Sequence, residues 1–244
     1  MAEHPTPAGH LRALFRRRRR RTDGPALPRE QRVAVIGLGR FGRSLAGELM
    51  RHGWDVLGVD VDDRVVRRHS ELLTHAVVAD GTDPEALAQL GVHEFTSAVV
   101  GIGSAVEASM LVTSNLVDAG VPNIWGMAVS RQHGQVLERL GAHHVVLPEH
   151  EMGERVAHLV TGRMLDFIRF DSDYALVKTI APSVVRGIPL GESRLRSVYG
   201  VTIVGIKRLG ENFTHATAET VVHQGDVIIV TGRTSAVENF SALR

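Results

Sequence analysis

The 244-residue chain contains no cysteine. That excludes disulfide bonds, thiolate metal sites and cysteine nucleophiles. No apolar stretch reaches the roughly 18 residues of a membrane-spanning helix. The longest candidate, 98–112, is interrupted by Glu107 and by glycines. The arginines near the N-terminus are not followed by the apolar core of an export signal, because Thr22-Asp23-Gly24-Pro25 stands there. GxSxG and HExxH are missing, and His133, His143 and His144 lack the i, i+4 spacing of a helical metal pair. A cytoplasmic location is the simplest expectation.

Net charge is low, +1, but unevenly spread. Residues 1–30 hold eight arginines (Arg12, Arg16 to Arg21, Arg29) against Glu3, Asp23 and Glu30, a net of +5. The other 214 residues carry 20 basic and 24 acidic groups, a net of −4. The folded part therefore has no compositional case for specific nucleic-acid binding. Residues 1–30 form a like-charged, self-repelling block, predicted to be a disordered tail. Solvation is its plain reading. Contact with an anionic membrane surface, worth about 1 kcal/mol per arginine near it, is the sharper one, and non-specific nucleic-acid contact the third.

From Arg32 onward, β-rich runs alternate with helical patterns. Strands are predicted at 33–37, 56–61, 75–79, 98–102, 123–128 and 144–147, and helices at 41–52, 63–72, 84–90, 106–119, 132–140 and 153–163. Asp83 precedes Pro84 as a helix start, and Gly53, Gly91, Gly120 and Gly141 stand where left-handed C-caps are wanted. Strands joined by single helices require right-handed crossovers and a parallel sheet. The fold class is α/β: a Rossmann-type, doubly wound domain over 31–163, ending in a crossover helix. Strands at 175–181, 201–207 and 227–231, with a short helix at 190–199, predict a smaller α+β domain over 164–244.

The chemistry concentrates at Gly37-Leu38-Gly39-Arg40-Phe41-Gly42, directly behind the first strand and opening the first helix. Gly37 permits the tight turn, Gly39 lets backbone approach phosphates, and Gly42 allows close helix–strand packing. The helix beginning near Phe41 aims N–H groups and its positive dipole end at those phosphates. Asp60, ending the second strand, can accept hydrogen bonds from ribose hydroxyls, which disfavours a 2′-phosphate. Asp80, ending the third, either lies near the adenine or caps the next helix. Arg40 can add a charge-assisted contact to a further phosphate; its plain alternative is a solvent-facing arginine. Glu149 either belongs to the acidic first turn of a helix or gives a carboxylate to a divalent cation.

These residues resemble the RCK-type cytoplasmic regulatory subunits of bacterial potassium transport systems, of the Ktr/Trk class. The resemblance is carried by Gly37 to Gly42, Val59-Asp60, Pro122-Asn123-Ile124-Trp125 and 137–142. Pro148-Glu149-His150-Glu151-Met152-Gly153, Tyr199 to Ile203 and Gln224-Gly225-Asp226 add to it. It covers about residues 31–242, all but the tail. It implies an RCK N-terminal domain that binds ATP or ADP (NAD(H) in Trk relatives) and an RCK C-terminal domain. It further implies homo-oligomeric assembly, through dimers to an octameric ring, beneath a membrane potassium-translocating subunit at the inner face of the cell membrane. Carried over by position, Gly37, Gly39 and Gly42 line the phosphates, with Phe41 in the same loop. Asp60 holds the ribose, Arg40 reaches the terminal phosphate, and Glu149 helps place a divalent cation between subunits. Some relatives bind cyclic di-AMP in the C-terminal domain, where Arg196 falls at the matching basic position; an acidic position of that pattern is Arg194 here.

The expectation is a ligand-gated regulator rather than an enzyme. The rival is an NAD-dependent Rossmann oxidoreductase. Against it, the small domain offers no cluster of residues that would assign acid and base roles.

Overall fold

The computed structural model describes residues 31–160 and 164–243. The tail, 1–30, and the last three residues of the helix predicted to end at 163 lie outside the described residues. By its internal contacts the chain divides between Pro148 and Glu149. The helix that the sequence pattern assigns to the end of the first domain thus groups almost wholly with the second.

In the first unit, β1 (Arg32–Ile36), β2 (Asp55–Asp60), β3 (His75–Val78), β4 (Ser97–Val100), β5 (Ile124–Met127) and β6 (His144–Val146) form one sheet, ordered β3-β2-β1-β4-β5-β6. Every pairing is parallel. Between them run α1 (Arg40–Arg51), α2 (Asp63–His69), α3 (Pro84–Gln89), α4 (Val106–Asp118) and α5 (Arg131–Arg139). The strands are apolar throughout because both faces are covered. Val33, Val35, Val56 and Val99 pack with Leu45 and Leu49 of α1 and Val65 of α2. The alternate residues Ala34, Ile36, Leu57, Val59, Ala98 and Val100 pack with Leu87 of α3 and with Val112 and Leu116 of α4. Gly53, Gly91, Gly120 and Gly141 all have positive φ, between 68° and 102°, as predicted C-caps should. The strand order reverses between β1 and β4. Ligands of such sheets bind at that switch point, outside the carboxyl ends of the strands.

The helix α6 spans Pro148–Val160 and begins five residues before the predicted start at Gly153. Proline suits the first helical position, and Glu149 and Glu151 suit the first turn, which outweighs the cost of an interior glycine.

The second unit holds β7 (Asp166–Asp171), β8 (Tyr174–Ile180), β9 (Val201–Lys207), β10 (Thr214–His215) and β11 (Val227–Gly232) in an antiparallel sheet ordered β10-β9-β11-β8-β7. One face packs Phe167, Val177, Val201, Ile228 and Val230 against Val237 and Phe240 of the final helix α8 (Thr234–Ser241). Besides the two-residue β10, three features depart from the sequence pattern. β7 is an edge strand whose charged residues, Asp166, Arg169 and Asp171, mask its period. α8 opens without a side-chain cap. The predicted helix 190–199 shrinks to α7 (Leu195–Val198), because the amides of Leu190 and Gly191 bond instead to the carbonyls of Thr220 and Ala218.

Candidate functional site

The glycine loop is clamped between the strands on either side of the switch point. The Gly37 amide donates to the Val59 carbonyl of β2 at 2.7 Å, and the Gly101 amide, just past β4, donates to the Ile36 carbonyl at 2.8 Å. Gly37 has φ +94°, and a Cβ there would lie 2.8 Å from Ile102 Cγ1. A Cβ on Gly42 would fall 1.9 Å from the Gly37 carbonyl oxygen. Both glycines are demanded by backbone and packing. Gly39 is different. Its φ is −61°, and a Cβ would meet nothing nearer than the Gly101 carbonyl oxygen at 4.0 Å. Nothing in the fold itself requires glycine there.

Asp60 closes the loop from the β2 side. Its Oδ2 accepts from the Leu38 amide at 2.7 Å and its Oδ1 from the Asp62 amide at 2.9 Å. The helix-capping alternative falls elsewhere: Asp62 caps α2 by accepting from the Arg64 amide. A carboxylate oxygen accepts more than one bond, so Asp60 keeps acceptor capacity for ribose hydroxyls.

In the first unit the helix starts divide into two groups. The starts of α2, α3 and α5 are capped by the side chains of Asp62, Asp83 and Ser130. Those of α1 and α4, which follow β1 and β4 at the switch point, have Gly39 and Ala105 at the cap and no side-chain hydrogen bond. Both uncapped starts thus follow the two strands that flank the switch point, and a helix N-terminus without a side-chain cap leaves N–H donors for an anion.

Arg40 is the first residue of α1, exposed, and has no carboxylate partner among the described residues. Phe41 is half-buried against the core under α1. Asp80 is exposed, and its Oδ1 accepts from the Thr82 hydroxyl at 2.7 Å and the Thr82 amide at 2.9 Å. These two bonds hold its carboxyl below the ordinary carboxylate range. The next helix is capped by Asp83, not by Asp80. Glu149 lies exposed in the first turn of α6, in the second unit. Among the described residues no group of three or more His, Asp or Glu is placed to hold a metal ion. One carboxylate does not build a cation site within this chain. Arg196, on α7, donates from Nε to the Thr202 hydroxyl at 3.0 Å. Arg194 has φ 54°, the one non-glycine residue with positive φ among those described.

Gly101 belongs to the site although the sequence reasoning did not single it out. A Cβ on it would lie 2.9 Å from the Gly37 carbonyl oxygen and 3.2 Å from Gly42 Cα. The signal was the pair Gly101 and Gly103 directly behind the fourth apolar run.

Comparison with known proteins identifies the two domains. Residues 33–148 match the TrkA-N domain model and residues 175–243 the TrkA-C domain model. The chain is 37% identical to Ktr system potassium uptake protein C of Bacillus subtilis, over 86% of this chain and 96% of that protein. It is 33% identical to Ktr system potassium uptake protein A of the same organism, over 87% and 96%, and 35% identical to the protein A of Vibrio alginolyticus, over 86% and 96%. Among solved structures, the GsuK RCK domain shares the fold (TM-score 0.60, 20% identical, 93% of this chain), and the chain spans 52% of its length. The GsuK channel bound to NAD gives the same score, covering 97% of this chain and 44% of that one. A TrkA-N domain followed by a TrkA-C domain, with this identity along nearly the whole of each relative, makes the chain a member of the family of Ktr system potassium uptake proteins A and C.

Proposed function

We propose that the chain is a cytosolic regulatory subunit of a bacterial potassium uptake system, which senses adenine nucleotide at the Gly37–Gly42 loop. The observation that carries this is the uncapped start of α1 behind a glycine, Gly39, that packing does not require, with the Asp60 carboxylate tied beside it. Backbone N–H groups of α1 would take the phosphates, and Asp60 the ribose. Arg40, free of any carboxylate, would reach the terminal phosphate. Family membership supports a role in potassium uptake.

The output is conformational. A nucleotide shifts a two-state assembly only by the difference in its affinity for the two states. Arg40 supplies a source of that difference, because ATP offers it a γ-phosphate and ADP does not. The reading includes a homo-oligomeric ring, octameric, at the inner face of the membrane beneath a potassium-translocating subunit. It assigns Arg196 to a second ligand, cyclic di-AMP, since the guanidinium keeps donors beyond the one given to Thr202. Glu149 would give its carboxylate to a divalent cation shared with a neighbouring subunit.

Denaturing the purified protein and identifying what it releases tests the reading. ATP or ADP supports it as stated, NADH moves the ligand to the dinucleotide used by Trk relatives, and NADP(H) contradicts both.

A further inference from the structure

Lys178 and Lys207 direct their ammonium groups at one aromatic ring. Nζ of Lys178 lies 5.7 Å, and Nζ of Lys207 5.9 Å, from the centroid of Phe213. The two lysines come from β8 and β9, on either side of β11, where Ile229 is the register partner of Lys178 and Val227 that of Lys207. Their chain neighbours Val177, Thr179 and Ile206 are buried, so the lysines stand on the sheet face opposite the core. The surroundings are apolar, with Ile180 55% and Phe213 39% exposed beside them.

Neither lysine has a carboxylate within ion-pair distance among the described residues. The acid facing Lys178 across the ladder is Asp166, and it is already held by the fork of Arg155, Nε to Oδ1 at 2.9 Å and Nη2 to Oδ2 at 3.0 Å. The ring attracts each cation through its quadrupole but carries no net charge, so the two positive charges stay uncompensated. A group with several acceptor oxygens and nearly two negative charges matches two ammonium groups set about one ring better than a carboxylate does.

We propose that Lys178 and Lys207, set about Phe213, form a phosphate-binding site in the second unit, separate from the glycine loop. The phosphate belongs either to a free phosphorylated solute or to a lipid headgroup. The site does not depend on the nucleotide reading above.

The test uses the full chain carrying Gly39→Ala, to suppress phosphate binding at the loop, with and without Lys178→Gln/Lys207→Gln. Equilibrium dialysis with labelled pyrophosphate reads the free source. Flotation with phosphatidylcholine vesicles containing phosphatidic acid reads the lipid source. The arginine-rich tail is the same in both proteins, so only their difference counts. Pyrophosphate binding weakened about tenfold or more by the double substitution supports a solute site. Flotation lost in the double variant supports a headgroup site. Lys178→Met/Lys207→Met keeps the packed stems and must reproduce the loss, which guards against a misfolded glutamine variant, and Lys→Arg at both positions must retain binding. Affinity changed less than about twofold, with flotation absent or unchanged, overturns the proposal and leaves the lysines as partners of the ring alone.

Discussion

The Leu38 amide donates to Oδ2 of Asp60 at 2.7 Å, tying the glycine loop to the end of the neighbouring strand. The residue proposed to hold a ribose is thus also the residue that shapes the glycine loop. Asp60→Ala removes both roles and leaves two amides without their acceptor. It is expected to lower stability by about 1–2 kcal/mol and to abolish the rise in Tm that nucleotide produces. Asp60→Asn keeps an acceptor for Leu38 and is expected to recover most of the stability but little of the nucleotide effect. Thermal unfolding with and without ATP separates the two.

Gly42 and Gly39 make opposite predictions from adjacent turns. A Cβ on Gly42 collides with the Gly37 carbonyl at 1.9 Å, so Gly42→Ala must displace α1 or the loop, at a cost of about 1–3 kcal/mol or more. Gly39→Ala meets open space at an ordinary φ and is expected to unfold at the denaturant midpoint of the parent, within about 0.5 kcal/mol. Chemical unfolding of the two variants side by side checks this.

Arg40→Ala is expected to weaken ATP more than ADP, because only ATP offers the guanidinium a γ-phosphate. A loss of about tenfold for ATP, with ADP changed much less, is the size of one charge-assisted bond. Equal losses in a binding titration would remove Arg40 as the discriminator.

His133 carries a pH dependence. It is 4% exposed, its Nδ1 accepts from the Val129 amide, and its Nε2 is buried without a partner. Burial pushes its pKa below the ordinary 6.5. The unfolded chain therefore binds the proton more readily. Stability is full above about pH 6.5 and is lost as pH falls from there toward the depressed folded value. His133→Asn, whose side-chain oxygen can stand for Nδ1, is expected to flatten that loss. Unfolding midpoints at pH 7.5 and 5.5 should differ less in the variant than in the parent.

The first unit was legible because its strands are buried on both faces and its helices stop at glycines. Val33 to Ile36 and Ala98 to Val100 read as strands without help from tertiary structure. The candidate site residues stand out by type and order alone. What periodicity could not show was contact: that Asp60 turns to Leu38, or that Gly101, just past β4, packs against Gly37 and Gly42 from far along the chain. The second unit was harder. β7 has Arg169 in mid-strand, and Leu190 and Gly191 satisfy their amides on 218–220 instead of in a helix. Both depend on partners far along the chain, which a local pattern does not contain.

Calorimetric titration of ATP and ADP into the parent protein, stripped of ligand, and into Gly39→Ala tests the central claim most directly. The glycine loop as a nucleotide site predicts binding by the parent and a loss of about tenfold or more in a variant that is equally stable. Equal binding by the two proteins, or none by the parent, would contradict it.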